Sequence, residues 1–325
     1  MVERNLPQSE RQNRLSGVRL MAVIGSIGLT CLLATCIEAP STQATCATQE
    51  VAETFQTPET LSLENSGEFS AKPSWEQDFS QLPDGPIDSR VWRYELDADV
   101  PTYNNEAAAY TDSTKNVRIE NGNLILEACR ESYRYSQSSK EYAFTSGRID
   151  TKDSLTFAYG KLEATMKLPE GAGTWPAFWL LSANEPNTQQ VTDSNLNQDR
   201  LYMKDGEIDI MEAYGHTPGV VEATLHTYLE SHDSKVTLSD ASHAFHTYGI
   251  EITPTRLVWT IDGQPYYSFD KPSDNLDEWP IDGKNQFYAI LNLAMGGSGG
   301  QEIDSSLNEA RLEVQSVKFY DYVKD

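Results

Sequence analysis

The alternation of apolar and polar residues changes at Pro73. From there to the C-terminus the chain consists of short apolar or alternating runs separated by turn residues. The clearest runs are "GKLEATMKL", "AFWLL", "EIDIME", "RLVWTIDGQPYYSF" and "FYAILNLAM". The Asn-Gly pair at Gly122 and the Asp-Gly pair at Gly263 are typical of tight β-hairpins. Many short strands at this spacing, without long amphipathic helices, predict an all-β sandwich or jelly roll.

The N-terminal region has the pattern of an export signal. Four arginines precede an apolar run, Leu20–Ala34, which is short for a membrane span and typical of a signal peptide. The run ends in "LATC", which resembles a lipoprotein signal with lipidation at Cys36, although Thr35 fits that signal poorly. Cleavage after Ala44 and an uncleaved N-terminal anchor are the alternatives. All three predict a protein outside the cytoplasm: extracellular, periplasmic or on the outer cell surface.

Three segments follow from these patterns. Residues 1–36, or up to 44, are predicted to be the leader, and residues 37–72, rich in Thr, Ser, Glu and Pro, a disordered linker. Residues 73–325 are predicted to form one domain. Beyond the leader the cysteines are Cys46 and Cys129, which could form a disulfide in an oxidising compartment. Because Cys46 lies in the linker, we expect Cys129 to be a buried free thiol.

Charge narrows the range of partners. The chain has 325 residues and a formal net charge of −24. So negative a protein is a poor partner for nucleic acid or an anionic membrane surface, and also for an anionic substrate. Sixteen Tyr, ten Phe and six Trp supply aromatic surface for a core or for stacking against sugars. A neutral substrate is therefore the better hypothesis.

The segment "DGEIDIMEAYG", Asp205 to Gly215, predicts a strand with one apolar face, because large apolar residues alternate with acidic ones. Glu207 and Asp209 lie two residues apart and share the other face. Glu212 follows Glu207 by an odd number of residues, which would place it on the apolar face. One β-bulge before Glu212 would restore the phase, and we expect Met211 to be the extra residue.

Three hypotheses fit such a strand. The bulge places the two Glu backbones roughly 13 Å apart, and their side chains can close most of that gap. They could then act as a carboxylate pair on a glycosidic bond, with about 5–5.5 Å between the carboxyls for a retaining reaction and more for an inverting one. Clustered carboxylates could instead bind Ca²⁺. They could also be a solvated strand edge without function. The spacing alone leaves all three open.

The segment "GEIDIMEAYG" resembles the catalytic signature of glycoside hydrolase family 16, in the bulged form of the laminarinase-like β-1,3-glucanases. Other segments resemble the family in family order: "YTDSTKNVRIENGNLILEA", "FTSGRIDTKDSLTFAYGKLEATMKLPEGAGTWPAFWLL", "FHTYGIEITPTRLVWTIDG" and "FYAILNLAMGG". The resemblance runs from about Trp75 to the C-terminus. It implies a concanavalin-like β-sandwich with the acidic strand on the concave face of one sheet.

The resemblance also implies roles for single residues. Glu207 matches the family's nucleophile, Glu212 its acid/base, and Asp209 the carboxylate between them. The implied substrate-binding residues are Trp175, Trp179, Arg148, His226, Asn292 and Asn105. The two tryptophans lie an even number of residues apart and share a strand face, with core packing as the alternative for at least one of them. For Arg148 the alternative is a surface salt bridge, and for His226 a structural role.

The chain departs from the family in two places. After "LNLAMGG" the sequence continues "SGGQEID", without the Trp and Pro-Gly that laminarinases usually have, so we expect a distal sugar platform to be missing. Gln315 occupies the position where family members often have an Asp that binds structural Ca²⁺. A neutral amide is a weaker calcium ligand than a carboxylate. We therefore expect no required cofactor or catalytic metal, and at most a weak calcium site.

Two classes of function remain open at this point. The first is a secreted, monomeric, endo-acting retaining hydrolase of β-1,3- or β-1,3(4)-glucan, or of another neutral β-linked polysaccharide, with transglycosylation as a variant. The second is a non-catalytic β-glucan-binding protein, because one fold can serve both purposes. Since a binding protein has no need of the three acids, their presence in the sequence favours the enzyme. A membrane attachment, if present, would run through the N-terminus.

Overall fold

The structure is a computed structural model, and it describes residues 68–96, 104–136, 138, 140–184 and 203–323. The predicted leader, the linker as far as residue 67, and Cys46 lie outside these residues, as does most of the polar sequence between Ser182 and Lys204. None of the helices in the described ranges is long and apolar enough to cross a membrane. Cys129 is a buried free thiol on a strand, as expected.

The described residues form eighteen strands and two short helical turns. The turns are a 3₁₀ helix, Phe79–Gln81, and α1, Gly297–Gly300. The strands are β1 (Glu68–Phe69), β2 (Trp75–Asp78), β3 (Arg93–Tyr94), β4 (Ala108–Tyr110), β5 (Val117–Glu120), β6 (Asn123–Tyr133), β7 (Tyr142–Ser146), β8 (Arg148–Asp150), β9 (Gly160–Lys167), β10 (Thr174–Ser182), β11 (Glu207–Ala213), β12 (Val220–His226), β13 (Ser231–Thr237), β14 (His246–Ile252), β15 (Arg256–Ile261), β16 (Gln264–Asp270), β17 (Phe287–Met295) and β18 (Glu309–Val323).

These strands form two sheets. The larger has the order β16-β15-β14-β9-β18-β6-β7-β4, with β1 and β2 paired to β18 and β5 paired to β6. The smaller has the order β13-β12-β11-β10-β17-β8-β3. Neighbouring strands are antiparallel except for β4 and β7, which are parallel. The predicted all-β sandwich is confirmed, and the acidic strand β11 lies inside the smaller sheet.

Both predicted hairpin turns are present. Asn121 and Gly122 connect β5 to β6 with φ values of 51° and 77°. Asp262 and Gly263 connect β15 to β16 with φ values of 51° and 72°. Two successive positive φ values define the tight turn that matches the twist of a hairpin, and Asn, Asp and Gly tolerate them best. These turns fix the register of the strands on either side.

Alternate side chains of the two sheets meet in one core. On β10, Phe178 and Leu180 are fully buried and face the larger sheet, whereas the residues between them turn away. On β9, the core residues are Leu162, Ala164 and Met166. Each large apolar side chain buried in this way contributes about 2 kcal/mol. The opposite face of the smaller sheet is thereby left free for polar residues.

The folded domain begins before Pro73. Glu68 and Phe69 form β1 and pair with Val323 and Tyr322 at the end of β18. The two ends of the domain are therefore adjacent in the larger sheet. This strand was not predicted from the sequence, because the composition of the region resembles that of the linker. A strand of two residues is also too short to show alternation.

Candidate active site

The smaller sheet carries a regular grid of cleft-facing side chains across β10, β11, β12 and β13. Cross-strand pairing places them in three rows: Leu181–Glu207–His226–Ser231, Trp179–Asp209–Thr224–Asp233 and Ala177–Glu212–Glu222–Lys235. All twelve line a cleft of about 950 Å³. The three acids of the signature are thus brought together on one face, and each occupies its own row.

A β-bulge in β11 puts Glu212 on this face. Between Asp209 and Glu212 the register against β12 shifts, so that Ile210 and Met211 together oppose one residue, Ala223. Ile210 and Met211 are both buried in the core. Against β10, Met211 keeps its partner, Phe178, and Ile210 has none. The bulge is therefore as predicted, but the unpaired residue is Ile210 and not Met211.

Trp259 ties the bulge to the larger sheet. Its indole Nε1 lies on β15, fully buried, and donates a hydrogen bond of 2.8 Å to the backbone carbonyl oxygen of Asp209. A bulge interrupts the regular ladder, and a buried carbonyl there needs another donor. No sequence pattern points to this role of Trp259, because a Trp in an alternating strand indicates only core packing.

Two donors hold the carboxyl group of Glu212. Trp175 Nε1 lies 2.7 Å from Oε1, and the Tyr214 hydroxyl lies 3.2 Å from Oε2. Burial and the nearby Asp209 raise the pKa of Glu212 to about 8, and the two donors only partly oppose this rise. Glu212 is therefore oriented and protonated at neutral pH, as a general acid must be.

Glu207 and Asp209 share the neighbourhood of one histidine. His226 Nε2 lies 3.1 Å from Asp209 Oδ2 and 3.8 Å from Glu207 Oε1, and His226 Nδ1 lies 2.6 Å from the hydroxyl of Ser231. Burial raises the pKa of both acids. For Glu207, Asp209 adds to the rise, whereas His226 and Arg148 oppose it. The pKa of Glu207 is thus raised overall, and His226 and Arg148 are the neighbours that favour its anion, the form that a nucleophile requires.

The raised pKa of Glu212 predicts a pH-dependent loss of stability. In the unfolded chain a Glu ionises near pH 4.5, but in the fold Glu212 keeps its proton to about pH 8. Between these values the folded state binds more protons, so the free energy of unfolding falls as pH rises. Glu212→Gln cannot ionise. The melting temperature of this variant and that of the wild type are measured by differential scanning fluorimetry. The difference, variant minus wild type, should increase from pH 4.5 to pH 8. A difference that stays constant over this range would contradict the raised pKa of Glu212.

Arg148 and Trp179 form a wall of the cleft beside the acids. Two hydrogen bonds of 2.9 Å join the Arg148 guanidinium to the Glu95 carboxylate, and the guanidinium carbon lies 5.1 Å from the centre of the Trp179 ring. Trp179 Nε1 donates to Asn292 Oδ1 at 2.7 Å. Arg148 is thus part of the cleft and not of a surface salt bridge. Glu95, which the sequence analysis did not identify, holds it there.

The remaining predicted residues have mixed outcomes. His226 lies on β12, next to β11, and lines the cleft. Asn292 lines the cleft but lies on β17, which flanks β10 and not the acidic strand. Asn105 is exposed and is not among the cleft-lining residues, whereas its neighbours Asn104 and Glu106 are. Asn105 has a φ of 56°, a backbone kink that the sequence does not reveal.

Trp175 has one face covered. A Cβ added to Gly299 would lie 2.4 Å from the Trp175 ring, so the turn Gly297–Gly300 packs directly against it. This turn comes from the "SGGQEID" departure, and only glycine permits so close an approach. Trp175 serves as the hydrogen-bond donor to Glu212 and offers only part of its surface to a sugar.

Among the described residues, one group of side chains has the geometry to bind a cation. A ligand atom from each of Glu207, Asp209 and His226 lies within 4.8 Å of the others. These are the same groups that form the acidic cluster described above. Gln315 is exposed and falls where the register between β18 and β9 shifts. The expectation of no required metal stays a prediction.

Comparisons with known proteins agree with this geometry. Residues 104–298 match the family described as glycosyl hydrolases family 16. A β-glucanase of Rhodothermus marinus is 33% identical over 283 residues, which cover 81% of this chain and 91% of that protein. A β-1,3-glucan-binding protein of Penaeus monodon is 26% identical over 208 residues, 55% of this chain and 54% of that one.

A solved structure has the same architecture. It is the crystal structure of SCLam, a non-specific endo-β-1,3(4)-glucanase from family GH16. It superimposes with a TM-score of 0.66 at 32% identity, covering 79% of this chain and 96% of that chain. Together with the bulged acidic strand and the cleft above it, these matches place the protein: the chain belongs to glycosyl hydrolase family 16 and is a glycosidase.

Proposed function

We propose that the protein is an endo-acting, retaining hydrolase of β-1,3- or mixed-linkage β-1,3(4)-glucan. The observation that carries the proposal is the pairing of Glu207 and Glu212 on one face of a bulged strand, each in a different electrostatic setting. Burial raises the pKa of both carboxyls, but at Glu207 the neighbours His226 and Arg148 oppose this rise, whereas the carboxyl of Glu212 is oriented by two donors, Trp175 and Tyr214. Two carboxyls on one face, with different groups around each, are the arrangement that glycoside hydrolysis uses.

The first chemical step forms a covalent intermediate. A carboxylate oxygen of Glu207 bonds to the anomeric carbon while the bond from that carbon to the leaving oxygen breaks. The proton of Glu212 passes to the leaving oxygen, so that the departing sugar chain leaves as a neutral alcohol. The hydrogen bond from Trp175 keeps the carboxyl of Glu212 in place during this transfer.

The second step releases the sugar. Glu212, now ionised, takes a proton from water, and the water oxygen bonds to the anomeric carbon as the ester bond to Glu207 breaks. Two inversions give net retention of configuration. Asp209 lies next to both acids, where its charge would oppose their ionisation, and its carboxylate lies 3.1 Å from His226 Nε2.

The substrate class follows from the cleft and the relatives. The lining combines Trp179 and part of Trp175 with hydrogen-bonding groups such as Asn292 and Thr224. Aromatic faces and neutral polar groups suit a neutral pyranose chain. The chain's net charge of −24 disfavours anionic polysaccharides. Relatives named as β-glucanase and endo-β-1,3(4)-glucanase support a β-glucan in particular.

Substrate screening tests the proposal. We expect reducing ends to be released from laminarin and lichenan, with a rapid fall in polymer length that marks endo cleavage. Agarose and xyloglucan should release little. The measurement is a reducing-sugar assay with size-exclusion chromatography of the products. Preferential cleavage of agarose or xyloglucan would contradict the substrate class while leaving the reaction type in place.

A non-catalytic β-glucan-binding function is the second candidate, because the similar protein from Penaeus monodon is named for it. Glu207, Asp209 and Glu212 are all present here, and each has the contacts that catalysis needs. Binding of laminarin without release of reducing ends by the wild-type protein would favour this candidate.

Export is proposed on the sequence pattern of the N-terminus. The four arginines, the apolar run Leu20–Ala34 and the polar segment after it support removal of a leader that ends between Ala34 and Ala44. We expect N-terminal sequencing of the protein from the extracellular or envelope fraction to begin in this window. Radiolabelled palmitate should be incorporated only if cleavage occurs before Cys36. An intact Met1 in the cytosolic fraction would contradict export.

A further inference from the structure

Glu222 is a fourth carboxylate in the cleft, and the mechanism above does not use it. It lies on β12 as the cross-strand partner of Glu212 on β11. Both side chains line the cleft, and that of Glu222 is only 14% exposed. Directly opposed residues on one face have their Cβ atoms about 4.5–5.5 Å apart, and like charges at this spacing repel each other. The fold therefore places a second negative charge beside the acid/base.

Lys235 extends the same row onto β13. It is the cross-strand partner of Glu222, and its Nζ lies 3.1 Å from Glu222 Oε2. This contact pairs the carboxylate of Glu222 with a cation at the edge of the cleft. Glu212 has the indole of Trp175 and the hydroxyl of Tyr214 as its contacts. The row is thus ordered from a carboxyl on β11 to a carboxylate on β12 and a cation on β13.

We propose that Glu222 is a positioning residue for the reaction: its carboxylate, whose charge Lys235 partly compensates, disfavours a charge on Glu212 and so retains the proton that the first step transfers. This inference rests on the proposed function, in which Glu212 is the acid/base. The groups that face Glu212 are Asp209 on its own strand, Trp175 on β10, Tyr214 after β11, and Glu222 on β12 with Lys235 behind it.

The surroundings of Glu212 agree with this assignment. Burial and Asp209 raise its pKa most, Trp175 and Tyr214 lower it, and Glu222 adds a smaller rise. Glu222 can be varied without touching the nucleophile, which makes its contribution measurable.

The test is the pH dependence of kcat/KM on a laminari-oligosaccharide. The alkaline limb of this profile reports deprotonation of the acid in the free enzyme. Glu222→Gln should move the limb to lower pH by about 0.5 unit or more. Lys235→Met should move it to higher pH, because the charge of Glu222 is then uncompensated. Opposite shifts from the two partners of one ion pair are not expected from a structural role.

A matched control comes from the larger sheet. Glu313 and Lys167 are also cross-strand partners, with 2.7 Å between Nζ and Oε1. Glu313→Gln removes a comparable charge far from the cleft chemistry and should leave the limb in place. Circular dichroism verifies the fold of each variant, and Lys235→Met decides the matter if Glu222→Gln does not fold.

The outcomes separate the two proposals. An active wild type whose alkaline limb stays in place in both cleft variants, or moves in the same direction in both, overturns the role of Glu222 and leaves the hydrolase intact. A wild type that cleaves no β-glucan contradicts the proposed function itself.

Discussion

Glu212→Ala is expected to lose about 10²- to 10⁴-fold of its turnover on β-glucan, because the leaving oxygen then receives no proton. The variant keeps the nucleophile, Glu207. On a dinitrophenyl β-glycoside, whose leaving group needs no acid, the covalent intermediate should still form. Azide should restore turnover of this substrate, since it needs no general base to attack the intermediate. Chromatography and NMR should identify a β-glycosyl azide as the rescued product.

Trp175→Phe provides a control for this result. It removes the hydrogen bond to Glu212 but keeps the carboxyl group. Its loss of turnover should be smaller than that of Glu212→Ala, and added azide should give little recovery. An α-configured azide from Glu212→Ala would contradict the role of Glu212 as the acid/base.

Glu207→Ala should be the more severe variant, with a loss of about 10⁴-fold or more on both β-glucan and the dinitrophenyl glycoside. The nucleophile is absent, so no covalent intermediate can form whatever the leaving group. Any azide product must arise by one direct displacement and therefore has the α configuration. The measurement is the same azide assay with the anomeric configuration read by NMR.

The fold should survive this change. Glu207 lies on the cleft face of β11, away from the core residue Ile208, so that its truncation leaves the packing between the sheets unaltered. Loss of the charge should also relieve part of the repulsion with Asp209. If Glu207→Ala gave a β-azide and Glu212→Ala gave none, the two roles would be reversed.

The sequence was sufficient to predict the catalytic face but not how it is held. The odd spacing of Glu207 and Glu212 requires a bulge if both face the cleft, and this is a local property of one strand. Which residue lacks a partner depends on the registers of two other strands. Ile210 and Met211 are both apolar and both buried, so their chemistry does not distinguish them.

Contacts between distant segments were the least predictable. Trp259 comes from the opposite sheet, fifty residues after Asp209, and no sequence pattern links the two. Glu222 and Lys235 alternate with neighbours in the way of a solvated strand face, and only the strand order places them beside Glu212. The covered face of Trp175 likewise depends on how the turn at Gly299 folds back.

The most direct test of the account follows the anomeric configuration of the first product. Wild-type protein is mixed with a soluble β-1,3-glucan, and ¹H NMR spectra are recorded before mutarotation proceeds. Double displacement through Glu207 and Glu212 predicts that the β-anomer of the new reducing end appears first and that the α-anomer grows in later. An α-anomer formed first would show a single displacement, and it would contradict the assignment of Glu207 as the nucleophile.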